Sequence, residues 1–271
     1  MKFQVETLFS EFPKRTFSMV EVEPSEKLYE VCIILKDVRG AIAKAAKVLA
    51  DANVNIKTGT VFYIPGNPEL GAWTSFIDIS KATLSIQDLE KKLQGLDEVA
   101  DVRFEEPKPA PYEVIHFPVL HGNSRAIIMG TDTFAALWEG FEGILTPSGL
   151  EAVLYNVGKK IGTYTATGLK NTYNLENKDL ILALVQAEKA LGWGIVEFQD
   201  IDFKGLTGTI IMKESFEAFA RQKNPYKVCH WARGYFAGCM SVVFGKPVEA
   251  VEVKCLATGA EYCEFKIRRK I

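Results

Sequence analysis

Three cysteines near the C-terminus, Cys229, Cys255 and Cys263, carry the strongest chemical signal in the sequence. Thiolates are soft ligands that favour zinc wherever thiols stay reduced. Cys255 and Cys263 fall on the two arms of a predicted hairpin, either side of Thr258-Gly259-Ala260, and Cys229 opens a helix that can approach from the side. A fourth ligand must come from nearby. Glu252 sits three residues before Cys255, yet residues three apart on a regular strand point to opposite faces. The strand must bulge or end near Lys254 if the two are to share a metal. Cys239, His230 and Glu264 stand as rival ligands. Four protein ligands leave no open position, so the predicted role is structural. The set carries surplus negative charge, which Lys254 and Arg233 could offset.

Two folding units are needed to place these residues. The clearest boundary is Glu105-Glu106-Pro107-Lys108-Pro109-Ala110-Pro111, where alternate prolines favour an extended spacer. The predicted layout is an N-terminal extension over 1–27, a first domain over 28–105, a linker over 106–111 and a second domain over 112–271. The first domain reads strand Tyr29–Leu35, turn Asp37–Gly40, helix Ala41–Ala52, strand Val54–Ile64, strand Ala72–Ile79, a helix capped by Ser85 and Asp88, and strand Val99–Glu105. That βαββαβ order predicts a ferredoxin-like sandwich. The second domain reads strands Glu113–Val119 and Arg125–Met129, then helices from Thr131 to Ile144, Pro147 to about Leu169, and Lys178 to Leu191. Strands Gly194–Phe203 and Thr207–Lys213 follow, then helices Ser215–Arg221 and Val228–Phe244. A hairpin of Ala250–Leu256 and Tyr262–Arg268 closes the chain. The fold class is therefore α+β throughout.

Composition narrows the function. The chain has 271 residues, 48% hydrophobic and 24% charged, with a net charge of -2; these are the proportions of a globular protein. It lacks the basic stripe of a nucleic-acid binder and any apolar run long enough to cross a bilayer. The N-terminal residues do not read as a secretory signal, so the expected location is the cytosol. No catalytic motif accompanies these features. Gly158-Lys159-Lys160-Ile161-Gly162 lies in a helical pattern without the strand that a nucleotide fingerprint requires. An enzymatic role is the less favoured expectation.

Two resemblances sharpen the reading. Asp37-Val38-Arg39-Gly40-Ala41-Ile42-Ala43, followed by Leu49-Ala50-Asp51-Ala52-Asn53-Val54-Asn55-Ile56, resembles the opening of an ACT domain. The resemblance implies a homodimer paired edge to edge and an amino acid bound at the turn of Asp37, Arg39 and Gly40. A turn at a helix N-terminus offers backbone N–H groups that suit a carboxylate; dimerisation alone is the other reading. Cys229-His230-Trp231-Ala232-Arg233-Gly234-Tyr235-Phe236-Ala237-Gly238, Glu252-Val253-Lys254-Cys255-Leu256-Ala257-Thr258-Gly259 and Cys263-Glu264-Phe265 resemble the 4-vinyl-reductase domain. That domain also forms the sensor of phenol- and xylene-responsive transcription activators. There, three Cys and one Glu hold zinc at steps of 23, 3 and 8, the steps that run here from Cys229 to Glu252, Cys255 and Cys263. The resemblance favours Glu252 over its rivals, with helices packed on an antiparallel sheet around a mostly apolar cavity. Trp138, Tyr155, Trp193 and Tyr235 are candidate lining residues for a hydrophobic or aromatic ligand. Together these readings give a cytosolic, homodimeric, zinc-stabilised sensor that regulates transcription or another output through a separate regulator protein. The alternatives are a carrier or reductase in tetrapyrrole or aromatic metabolism, and a structural adaptor.

Overall fold

The computed structural model describes residues 19–20, 23–122, 124–222 and 224–270. Most of the expected extension over 1–27 lies outside them. The chain forms two compact units that divide after Ile127.

In the first unit, β1 (Leu28–Lys36) alternates side chains between two faces, and Val31, Ile33 and Leu35 enter a core with Trp73 and Ile77. Helices α1 (Ala41–Asp51) and α2 (Ile86–Gln94) cover that core with Ala45, Leu49, Leu89 and Leu93. Ser85 caps α2, accepting from the Asp88 N–H at 3.2 Å. The single strand expected over Val54–Ile64 is two pieces, β2 (Asn55–Ile56) and β3 (Thr60–Ile64). Between them the N–H groups of Lys57 and Thr58 both reach the Phe76 carbonyl, so the ladder breaks there. Both pair with β4 (Asn67–Asp78), and β1 lies between β4 and β5 (Val99–Glu105) in one antiparallel sheet.

The residues that follow the spacer belong to this unit as far as Ile127, whereas the sequence places them with the second domain. No strand forms over Glu113–Val119. The N–H groups of Val114 and Ile115 instead donate to the Glu30 carboxylate, at 2.7 and 3.2 Å, and Pro118 has none to give. The His116 ring meets Phe62 edge-on. Among the described residues of this stretch, Tyr112 bridges to Met19 and β6 (Leu120–His121) pairs with β7 (Ser124–Arg125), so Arg125 alone of the strand expected over Arg125–Met129 is paired in that way.

The second unit opens with α3 (Thr131–Glu142), α4 (Pro147–Tyr173) and α5 (Asn177–Ala190). Helix α4 runs beyond Leu169 because nothing stops it before Asn174, a left-handed cap. Strands β8 (Ile195–Asp202) and β9 (Thr207–Lys213), the short α6 (Phe216–Ala220), α7 (His230–Phe244), β10 (Val248–Lys254), a 3-10 turn (Leu256–Thr258) and β11 (Cys263–Arg269) complete it. The sheet order is β10-β11-β9-β8, all antiparallel. Helices α4 and α7 cross at backbone contact. A Cβ on Gly162 would stand 2.0 Å from the Tyr235 carbonyl, and one on Gly234 would stand 2.0 Å from that of Tyr155. Gly158 and Gly162 thus serve helix packing. No helix among the described residues is long and apolar enough to cross a membrane.

Candidate metal centre

Three elements of the second unit converge on one buried point. Cys229 stands at the N-cap of α7, Cys255 directly follows β10, and Cys263 begins β11. All three thiols are fully buried and free of disulfides. The strand carries the irregularity that Glu252 requires. Glu252 pairs with Phe265, but Lys254 pairs with Glu264, so Val253 is an extra residue. The bulge swings Glu252 and Cys255 to one side. Ligand atoms of Cys229, Glu252, Cys255 and Cys263 all lie within 4.8 Å of one another.

The spacing suits a metal better than a disulfide. Cys229 Sγ is 3.9 Å from Cys255 Sγ and 3.6 Å from Cys263 Sγ. Zn–S bonds of about 2.3 Å in a tetrahedron set sulfurs about 3.8 Å apart, whereas a disulfide needs about 2.05 Å. Glu252 Oε2 accepts the Cys229 N–H at 3.2 Å, and its buried Oε1 has no hydrogen-bond partner. A free lone pair beside three thiols is what a cation would take. Burial, and after it the neighbouring Cys255 sulfur, push the Glu252 carboxyl up to about 9, against a downward pull from Cys229. The Cys263 thiol rises to about 12 and Cys229 well above its usual value, while hydrogen bonds from those two hold Cys255 low. A bound metal must displace the protons held by these groups.

The rival ligands stand elsewhere. Cys239, in mid-α7, donates to the Gly162 carbonyl, and Glu264 pairs with Lys254 and Lys266. His230 is outside the cluster. The expected charge partners are also engaged: Lys254 with Glu264, and Arg233 with Glu151. Lys227, whose Nζ donates to the Glu252 carbonyl at 2.8 Å, brings the nearby positive charge. The sequence reading missed Glu217, which is fully buried and accepts the Trp231 and Ala232 N–H groups at 3.0 and 2.9 Å. It closes the start of α7 beside Cys229, although burial still pushes its carboxyl up to about 7. Its place two residues into α6 gave no local signal.

Of the candidate ligand residues, Trp193 and Tyr235 meet edge to face with centroids 5.2 Å apart, and Trp231 stacks on Tyr235. Trp138 joins them through Phe134 and Phe216. Tyr155 faces the Arg233 guanidinium. Asp37, Arg39 and Gly40 lie in the first unit on an exposed turn, where Gly40 takes φ 86° ahead of α1.

Residues 209–269 match the 4-vinyl-reductase domain family. All four clustered side chains fall inside this segment, three of them on β10, β11 and the loop between. An uncharacterized protein of Methanocaldococcus jannaschii is 28% identical over 127 residues, 46% of this chain and 69% of that protein. The phenol-responsive sensory domain of the transcription activator PoxR, solved with phenol, superposes with a TM-score of 0.50 at 20% identity. The match covers 55% of this chain and 78% of that domain, so the two share a fold. A vinyl-4-reductase family protein from M. jannaschii aligns over 55% of this chain and 86% of its own, at 18% identity and a TM-score of 0.38.

Proposed function

We propose that this protein is a ligand sensor whose 4-vinyl-reductase unit binds a small hydrophobic or aromatic molecule and is held together by zinc on Cys229, Glu252, Cys255 and Cys263. The observation that carries the reading is the family match within a fold shared with a phenol-responsive sensory domain. When bound, zinc supplies a cross-link between the start of α7 and the β10–β11 hairpin, with no open position for chemistry. The protein's own residues do the rest. Glu217 fixes the first turn of α7, the Val253 bulge turns Glu252 inward, and the aromatic side chains around Trp193 and Tyr235 exclude water. The first unit acts as an ACT-type module that pairs two chains and takes an amino acid carboxylate at Asp37–Gly40. A separate regulator protein in the cytosol would receive the signal. A ligand shifts such a partner only by preferring one of two conformations.

Native mass spectrometry with elemental analysis tests this on the full chain purified under reducing conditions. One zinc per chain, with a small apolar molecule released on denaturation, is the expected result. A reduced, folded protein with neither metal nor affinity for apolar ligands overturns it.

A further inference from the structure

The clustered ligands are themselves met by hydrogen-bond donors. Glu252 Oε2 takes the Cys229 N–H at 3.2 Å, and Cys263 Sγ takes the Leu256 N–H at 3.3 Å. Cys255 is held low by hydrogen bonds from the Cys229 and Cys263 thiols and by the Val228 N–H. The Cys229 sulfur meets the Ser215 hydroxyl at 3.7 Å. Each ligand thus has a donor from outside the set of side chains. Three of these donors are backbone N–H groups; the fourth is the Ser215 side chain.

The chain turns sharply to deliver that side chain. Glu214 takes φ 52°, a left-handed conformation uncommon for a non-glycine residue, and Ser215 follows, fully buried at the start of α6. Its Oγ accepts the Ala218 N–H at 3.4 Å and so caps the helix. That bond uses a lone pair and leaves the hydroxyl proton for the sulfur. Two residues on, Glu217 takes the Trp231 and Ala232 N–H groups. The segment Ser215–Glu217 therefore grips the start of α7 twice, at the Cys229 side chain and at the backbone that follows it.

We infer that Ser215 is a positioning residue of the metal centre, its hydroxyl donating to the Cys229 sulfur and holding it ready as a thiolate. This rests on the zinc-binding part of the reading above. A thiol must lose its proton to take a metal, so a metal-bound Cys229 can only accept, and the direction of the bond is fixed. A donor on that sulfur disperses charge that three thiolates and a carboxylate would otherwise concentrate at one buried point. Capping α6 does not by itself account for the choice of residue. Asp caps as well as Ser, but it would set another negative charge against the thiolate. A hydroxyl joins an acceptor for the N–H and a donor for the sulfur on one atom.

The test uses the full chain under reducing conditions. Zinc affinity is read by competition against a chelator, and the sulfurs are read through cobalt(II) in the zinc position. Ser215→Ala should weaken zinc at least about ten-fold, the usual effect of losing a partner of a metal ligand. It should also move the sulfur-to-cobalt charge-transfer band to longer wavelength, because a thiolate stripped of its donor gives up an electron more readily. Ser215→Thr, which keeps the hydroxyl, should retain both the affinity and the band. Cadmium-113 in the same position probes the unmutated chain, where scalar coupling should link the metal to the Ser215 hydroxyl proton as well as to the Leu256 amide proton. Should Ser215→Ala fail to fold, this coupling decides alone. Weaker affinity with an unmoved band overturns the role and leaves Ser215 as a cap of α6. Unchanged affinity overturns it too, as does coupling to Leu256 without coupling to Ser215, and in each of these cases the zinc reading stands. A reduced, folded chain that takes none of the three metals overturns the zinc reading and the role of Ser215 together.

Discussion

Glu252 and Glu188 are both buried carboxyls with an unpartnered oxygen, yet their neighbours give them opposite prospects. Glu252 faces three thiols. Cys255→Ser should take the metal content from one per chain towards zero and cost roughly 3–5 kcal/mol, as when one member of a buried charged set is lost. Cys239→Ala, which only forfeits a bond to the Gly162 carbonyl, should keep the full metal at a cost of about 1–2 kcal/mol. Elemental analysis beside urea denaturation separates the two. No thiol cluster faces Glu188, and burial pushes its carboxyl from the usual 4.5 up to about 8. Between those values the folded chain keeps a proton that the unfolded chain has lost, so this group's contribution to stability is full below about pH 4.5 and drains as pH rises to about 8. Its share of the slope is at most about 1.4 kcal/mol per pH unit, and Glu188→Gln should remove that share in urea melts across that range, leaving the shares of Glu217 and Glu252, whose carboxyls burial raises in the same sense. The three clustered cysteines were legible from their place on a hairpin and a helix start, whereas Glu252 stood out from its rivals only through the family resemblance. Glu188 and Glu217 were not. Each looks like an ordinary surface charge on an amphipathic helix until the partner helix is in place.

At the scale of elements, the crossing of α4 and α7 decides how closely the unit packs. Gly162→Ala drives a methyl to within 2.0 Å of the Tyr235 carbonyl. Neither helix backbone can yield without moving the other, so the cost should be about 3 kcal/mol, with a melting temperature lower by roughly 10 °C. Gly168→Ala on the same helix meets nothing within 4 Å and should add about 0.5–1 kcal/mol through helix propensity alone. Equal effects in thermal melts would mean that the crossing is looser than the backbone geometry implies. Helices and strands of the second unit were largely legible, since hydrophobic period and capping residues are local. The breaks were less so. The pause at Lys57–Gly59 depends on two N–H groups sharing the Phe76 carbonyl, and the missing strand at Glu113–Val119 depends on Glu30, more than eighty residues away. Such long-range partners leave no periodicity behind. The Val253 bulge was foreseen only as a requirement of chemistry, because nothing in the alternation of β10 announces it.

For the whole molecule, the division after Ile127 and the placement of the cluster make a prediction about cooperativity. Every clustered ligand lies in the second unit, and none lies on the first. Metal binding free energy becomes folding free energy only for the unit whose ligands it joins. A chelator should therefore lower the melting transition of residues 128–270 and leave that of the first unit in place. Calorimetry of the full chain should show one transition moving and one staying. Hydrogen exchange should show protection lost first at the start of α7 and along the β10–β11 hairpin, where the ligands reside. The same experiment bears on pH. Glu252 and Cys263 hold their protons to about 9 and 12, so protons compete with the metal throughout the neutral range and affinity should fall as pH falls. Acidification and chelation ought then to melt the same unit by the same route. If chelator shifted both transitions together, the two units would be one cooperative block, and metal binding free energy would be shared across the division after Ile127.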